Sequence, residues 1–159
     1  MIVTLRDLRA DDAAWLDTWL GVCAASVGYD VIDVDAPARS LLVRLEHGDL
    51  NANVIVAGEK VGVVTYLVRA PAMIQFIGVQ PSQVRRGYGQ AGAALVEDVL
   101  RAAGVTTIYA AAPAIHGIDV YFWIRLGYRP LLQAEWPCTR DGFAWLRRDV
   151  GAGDPARTP

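Results

Sequence analysis

Cysteine is nearly missing from this 159-residue chain: Cys23 and Cys138 are the only two, and neither sits in a CxxC or CxxH spacing. That excludes a disulfide scaffold and leaves no metal site to expect, so both thiols read as small apolar fillers. Long apolar runs are missing too. The longest uncharged stretch, 102–118, is interrupted by Gly104, Thr106, Thr107, Pro113 and His116, too broken for a membrane span of about 20 apolar residues. The opening Met1-Ile2-Val3-Thr4-Leu5-Arg6-Asp7 has no basic segment followed by an apolar one, so no signal peptide is expected and a cytoplasmic location is. Surplus positive charge is also lacking, since 15 Lys and Arg against 17 Asp and Glu leave a net charge of -2. A nucleic-acid binder with a positive face is thereby disfavoured. Any anion site has to be assembled locally.

What the chain does have is apolar content, 53% against 20% charged, which excludes a disordered chain. Its length suits one domain, expected over 1–150, because domains cluster at roughly 100–150 residues. The last stretch, 151–159, is expected as a disordered tail on its composition. A β-rich run opens the chain over 2–8. Asp11 and Asp12 then precede Trp15, Leu16, Trp19, Leu20 and Cys23 at helical spacing, with the two tryptophans expected as one core-facing stripe. A loop over 30–35 leads to a second helix over 36–46, ended by Gly48.

β-Branched runs over 53–57 and 61–69 flank Gly58-Glu59-Lys60 and read as a hairpin, followed by a strand over 73–79. A helix over 89–103, a strand over 105–111, a helix over 118–126 and strands over 128–136 and 143–148 complete the order. Helices and strands alternate only in the second half, which predicts a mixed α/β sheet rather than a purely parallel one.

The segment richest in chemistry is Pro81-Ser82-Gln83-Val84-Arg85-Arg86-Gly87-Tyr88-Gly89-Gln90-Ala91-Gly92, which leaves a strand and opens a helix. Glycines let backbone N–H groups approach an anion closely, and a helix start adds unpaired donors and a positive dipole end. Arg85 and Arg86 add charge-assisted bonds to phosphate oxygens. Gly87, Gly89 and Gly92 form a literal GxGxxG, the dinucleotide fingerprint. That reading needs the glycines directly after the strand and an acid about 20 positions on. Here residues 80–86 intervene, and no acid lies between Asp98 and Asp119. A Walker loop is excluded because no Gly-Lys-Ser/Thr follows.

Two signatures together carry a family resemblance. The first is Val79-Gln80-Pro81 followed by Arg85-Arg86-Gly87-Tyr88-Gly89 and a long helix; the second is Phe122-Trp123-Ile124-Arg125-Leu126-Gly127-Tyr128. In this order the chain resembles the GNAT superfamily of acyl-CoA-dependent N-acyltransferases, whose loop reads Gln/Arg-x-x-Gly-x-Gly/Ala and whose last helix ends in Phe-Tyr-x-x-x-Gly-Phe. The matching stretch runs over about half the chain, 61–136. The resemblance implies a mostly antiparallel central sheet splayed between its fourth and fifth strands, with helices on both faces. It implies acetyl-CoA as co-substrate and a small-molecule or peptide amine as acceptor, with a homodimer as the family-level guess.

Main-chain groups of Ile77 and Val79 would pair with the pantetheine arm, and the diphosphate would rest on the amides of Arg85, Arg86, Gly87, Tyr88, Gly89, Gln90 and Ala91. Counted from Pro81, the first family glycine is Gly87 and Val84 takes the Gln/Arg place. Counted from Arg86, it is Gly89, with Ala91 in the Gly/Ala place. The first register keeps the usual helix length to Gly104 and is preferred. The amino-terminal helices and the 30–35 loop would line the acceptor side.

The chemistry departs from the family. Its usual tyrosine, four residues before the Gly-Phe glycine, is Trp123, counted here with the coenzyme-binding positions. Tyr121 is a candidate acid, though two residues along a helix turns it by about 200°. The fourth strand carries Gln75 where the family often has a glutamate base. His116 falls where the family places an asparagine, and an imidazole there is a candidate base or thiolate partner. Asp119 and His47 read as helix-end residues. The alternative reading is an acyl-CoA-binding module of this fold that does no chemistry.

Overall fold

The computed structural model describes residues 2–27 and 32–151. β1 (Thr4–Asp7) is followed by a 3-10 turn (Ala10–Asp12) and two short helices, α1 (Ala13–Asp17) and α2 (Leu20–Val27), where one continuous helix is expected. α3 (Pro37–Glu46) starts on a proline that needs no N–H partner and ends before Gly48, which sits at φ 72°. β2 (Asn51–Ala57) and β3 (Glu59–Leu67) form the expected hairpin about Gly58, at φ 77°. Then come β4 (Met73–Val79), α4 (Tyr88–Ala102), β5 (Thr107–Pro113), α5 (Gly117–Arg125), β6 (Arg129–Pro130) and β7 (Phe143–Asp149).

The strand expected over 128–136 shrinks to two residues. Pro130 removes a ladder donor, and Gln133–Glu135 winds into a 3-10 turn in which Glu135 accepts from the Leu132 N–H at 3.0 Å. Of the expected tail only Gly151 is among the described residues, and the expected 30–35 loop lies partly outside them. No described helix is long and apolar enough to cross a membrane.

The seven strands order as β1-β2-β3-β4-β5-β7-β6. Every pair is antiparallel except β4 with β5, and that one holds only through Met73–Tyr109 and Ile74–Ala110. Beyond Ile74 the two strands part, so the sheet is splayed between its fourth and fifth strands as the resemblance implies. A bulge coincides with the parting: Thr65 pairs with Phe76 and Tyr66 with Ile74, which leaves Gln75 extra. An extra residue bends its strand and increases the local twist, which turns the rest of β4 away from β5.

Helices cover both faces. On one face α1, α2, α3 and the turn between the first two pack Leu16, Trp19, Leu20, Ala24 and Leu41 onto Val54, Val63 and Phe76. On the other, α4 presents Ala93, Val96 and Leu100, a stripe at helical spacing, to Ile55, Val64 and Ile74; each fully buried Val or Leu contributes about 1.5–3 kcal/mol. α4 lies close to the sheet because position 92 has no side chain, and a Cβ there would stand 2.6 Å from Ile55 Cδ1. The third glycine of the fingerprint thus serves packing. Buried Glu97 of α4 binds Arg148 of β7 at 3.0 Å, and Arg148 also donates to the Leu126 carbonyl at 2.7 Å. That ion pair ties the helix behind β4 to the wing beyond β5.

Candidate active site

The parting leaves one edge of β4 open. Strand residues turn their backbone groups alternately to the two edges. The Tyr109 N–H donates to the Ala72 carbonyl at 2.9 Å, so even-numbered groups face β5 before the bulge. After it the parity is reversed: the Gln80 N–H donates to Val61 of β3 at 2.8 Å. Ile77 and Val79 therefore turn their N–H and C=O groups to the open edge. Their side chains meet α4, where Ile77 Cγ2, Val79 Cγ2 and Phe122 Cε2 all lie within 3.6–3.7 Å of where a Gly89 Cβ would be.

The chain leaves β4 through a 3-10 turn (Pro81–Gln83) bolted at both ends. Trp15 Nε1–H donates to Gln80 Oε1 at 3.2 Å, and Gln83 Nε2 donates to Glu59 Oε1 at 2.7 Å. Trp15 is thus only half a core residue. Trp19 is buried, but Trp15 spans from its edge contact with Trp19 to Gln80, with the Lys60 ammonium 5.1 Å from its ring centre. Lys60 also reaches Asp12 at 3.3 Å, beside Arg6 at 2.7 Å. Burial pushes the Asp12 carboxyl up, but hydrogen bonds from Arg6, the Arg9 N–H and Lys60 outweigh that and hold it below the usual range. A fixed ion cluster thereby braces the start of α1 and, through Trp15, the turn.

After the turn the backbone reverses sharply. Arg85 is at φ 63°, the only left-handed non-glycine among the described residues, and Gly87 follows at φ 81°. Gly87 is the N-cap of α4 with no side-chain cap, and its carbonyl takes the first helical bond, from the Ala91 N–H at 3.0 Å. This bond corrects one expectation: the Ala91 amide is spent inside the helix. The amides of Gly89 and Gln90 lie ahead of that bond. Arg85 and Arg86 are exposed and have no ion pair among the described residues. Left-handed residues at 85 and 87, directly before the helix-start amides, make a loop suited to cradle an anion.

α5 begins at the far lip of the wedge. His116 is its half-buried N-cap, with its N–H on the Pro113 carbonyl at 3.0 Å. Trp123, expected on the coenzyme, is 3% exposed and packs against Phe122 and Tyr128 with ring centres 5.1 and 5.0 Å away. It backs the wedge from the core, because adjacent Phe122 takes the position nearest α4. Tyr121 is 58% exposed, under Arg125; the helical turn carries it outward, so it cannot act as an acid in the wedge.

Sequence reasoning sets aside two residues that the geometry brings forward. Gln75, at the bulge, has a buried Oε1 without a partner, and Asp119 has a buried Oδ2 without one. Burial pushes the Asp119 carboxyl up, and the charge of His116 opposes that. No local pattern announces either, since each follows from the strand's parting or the helix's rotation.

An open strand edge, an anion cradle at a helix start and a wedge between them point to one family. The sequence pattern of the acetyltransferase (GNAT) family matches residues 11–128. The chain belongs to the GNAT acetyltransferases. No curated protein matches it in sequence. Among solved structures it is similar to an acetyltransferase from Thermus thermophilus, at 19% identity and TM-score 0.76 over 94% of this chain and 98% of that one. It is similar also to the PaiA N-acetyltransferase of Thermoplasma acidophilum in complex with coenzyme A, at 13% identity and TM-score 0.73 over 94% and 99%. A third is yncA of Salmonella typhimurium with acetyl-CoA, at 13% identity and TM-score 0.68 over 96% of both chains. At these identities the likeness of this GNAT chain to them is one of fold.

Proposed function

We propose that this GNAT protein moves an acetyl group from acetyl-CoA to a primary amine of a small molecule or peptide by direct attack. The observation that carries the reading is the open edge at Ile77 and Val79, which continues directly into the cradle at Arg85–Gln90. The residues present fit the coenzyme. Two arginines without ion pairs among the described residues and the Gly89 and Gln90 amides suit a diphosphate, and a bare strand edge suits a chain of amides. The coenzyme, when bound, supplies a thioester whose acyl carbon is open to nucleophiles.

The protein's own residues bind, orient and exclude water. The Arg85 and Arg86 guanidiniums hold the phosphates, and the Ile77 and Val79 backbone groups align the arm along β4. The Val79 N–H is the proposed donor to the carbonyl oxygen, and the half-buried His116 imidazole is the proposed acceptor of the proton that the amine sheds. Holding two reactants in register can by itself be worth roughly 7–11 kcal/mol. The face that carries Gln75 also carries Trp19 and Trp145, whose indole N–H groups are buried without partners. We assign the acceptor to that side.

Thermal shift against acetyl-CoA, longer acyl-CoAs and NAD tests the binding half, because a ligand at 100 times its Kd adds about 2.7 kcal/mol. Thiol release from acetyl-CoA across a panel of amines tests the chemistry. Stabilisation together with release above background is the expected result. Tight binding with no release from any amine would favour the non-catalytic module, which the outward Tyr121 and the absence of an acid on β4 motivate. No stabilisation by any acyl-CoA would overturn both.

A further inference from the structure

The turn that leads into β7 sets a cation beside the acceptor side of the wedge. β5 pairs with β4 no further than Ala110 and ends three residues on at Pro113, which stands opposite Phe143, the first residue of β7. The Phe143 N–H donates to the Arg140 carbonyl at 3.3 Å, and Gly142 turns between them at φ 76°. The Gly142 carbonyl accepts from the Ala114 N–H at 2.8 Å, and the His116 N–H donates to the Pro113 carbonyl at 3.0 Å. The turn over 140–143 is thereby fastened to the short stretch that carries His116, at the wide end of the wedge.

Alternation along the strands decides which face Arg140 occupies. β5 and β7 give Ala110, Ala112 and Leu146 to the core under α4, and they give Ala111, Phe143 and Trp145 to the opposite face, beside Met73 of β4. That is the face assigned above to the acceptor. The guanidinium carbon of half-buried Arg140 lies 3.7 Å from the centre of the Phe143 ring, close enough to lie upon it. Stacking of this kind uses one flat side of the guanidinium. Its N–H donors lie in the plane and leave by the rim, in a fork that fits both oxygens of a carboxylate. Met73, Ala111, Phe143 and Trp145 are uncharged, so Arg140 adds a positive charge at the edge of an apolar, aromatic surface.

We propose that Arg140 makes this protein select an acceptor that carries a carboxylate close to its amine, such as a free amino acid. The guanidinium holds the carboxylate while the amine turns into the wedge toward His116. This rests on the acetyl-transfer reading above and narrows its acceptor. Arg140 is then a binding residue for the acceptor and takes no part in holding the coenzyme.

Thiol release from acetyl-CoA, measured with free amino acids and with their carboxamides, tests the assignment, because each pair has nearly the same shape and differs in the charge. The native protein is expected to favour the acids in kcat/KM. Arg140→Met, which keeps an unbranched apolar stem but has no charge, is expected to lower the acid-to-amide ratio about tenfold or more, the worth of one bond to a charged group. Comparing the ratio between proteins cancels the different reactivity of the two amines. KM for acetyl-CoA and the ligand-free melting temperature are expected to stay near the native values, and Arg140→Lys, a point charge without the fork, to keep part of the preference.

An unchanged acid-to-amide ratio in Arg140→Met overturns the assignment. So does an equal loss with acids and amides, which makes Arg140 a prop for the turn, and so does a native protein that acetylates amides while leaving acids untouched. Should Arg140→Met not fold, Arg140→Gln, neutral but still polar, is read the same way. A native protein that binds acetyl-CoA and releases thiol with neither probe overturns this inference and favours the non-catalytic module. One that does not bind acetyl-CoA sinks the coenzyme reading itself, a result distinct from all of these.

Discussion

Arg85 is where binding and stability pull in opposite directions, and one substitution separates them. Its φ of 63° puts an L side chain in the left-handed region, at a cost of roughly 1–2 kcal/mol. Glycine is free of that penalty but loses about 0.5–1 kcal/mol more chain entropy on folding. Arg85→Gly is therefore expected to stabilise the ligand-free protein by about 0.5–1 kcal/mol, a rise of roughly 1–4 °C in Tm at this length. The same change removes an exposed guanidinium that no described acid engages. A charged hydrogen bond to a phosphate is worth about 1.5–3 kcal/mol, so coenzyme A affinity is expected to fall about tenfold or more.

Arg85→Ala serves as the control, because it loses the charge but keeps the strained backbone: affinity falls similarly while Tm stays near the native value. Added salt should narrow the affinity gap, since screening acts within about 10 Å at 0.1 M. Differential scanning fluorimetry without ligand and titration with coenzyme A read the two halves independently. An Arg85→Gly variant that melts below the native protein would refute the strain argument. Undiminished affinity in both variants would refute the phosphate role. Strain held at a ligand loop and repaid by binding is the pattern expected of a functional turn.

Other consequences follow from the same geometry. Trp15→Phe keeps the ring but loses the hydrogen bond to Gln80, so steady-state kinetics should show KM for acetyl-CoA raised several-fold with kcat little changed, a loss of about 1 kcal/mol; a fall in kcat alone would be the wrong result. Gly92→Leu drives a side chain into Ile55, where even a Cβ would lie at 2.6 Å, and urea melts should show about 1–3 kcal/mol or more of destabilisation, partly recovered by adding Ile55→Val. Asp12 holds its proton less tightly folded than unfolded, so its stabilisation is complete above the ordinary carboxylate range and is lost as pH falls below it. Melts across pH 2–7, a span set by ordinary carboxylate values, should therefore show Asp12→Asn less stable at neutral pH, with the gap to the native protein closing in acid; a gap that widens instead would reverse the assignment.

The parts of the site legible in the sequence are those that backbone chemistry dictates locally. Gly87 at positive φ, a proline ending β4 and a helix stripe from Ala93 to Leu100 leave marks in residue type, and the cradle is legible from them. The splay comes from the resemblance alone. Its physical cause, an extra residue at Gln75, leaves no mark, because a bulge shows only when β3 is laid beside β4. Trp15 and Trp19 share a spacing but not an environment: the helix breaks between α1 and α2, and Lys60 and Gln80 claim one ring while the core takes the other. Trp123 departs from expectation for a related reason. Alignment to a motif gives position, whereas the presence of Phe122 beside it decides which ring faces the wedge.

The bulge and the buried ion pair solve opposite halves of one problem. A sheet that opens to admit a ligand sacrifices pairing, and here β4 and β5 keep only two register pairs. Pairing that sparse attaches the two wings weakly along the sheet, because each missing ladder bond removes roughly 0.5–1.5 kcal/mol of net attachment. Glu97 and Arg148 supply a connection from behind, joining α4 to β7 and to the end of α5. Losing either partner would leave an uncompensated buried charge, at about 3–5 kcal/mol, so the link breaks only together with the core around it. The wedge can therefore be open along its front and fixed along its back. Without the bulge the same strand would turn Phe76 and Gly78, rather than Ile77 and Val79, to the open edge, and would carry the apolar faces of its outer half to the wrong layers. One inserted residue thus sets which amides face the open edge, and one buried pair links α4 to β7 and the end of α5 behind them.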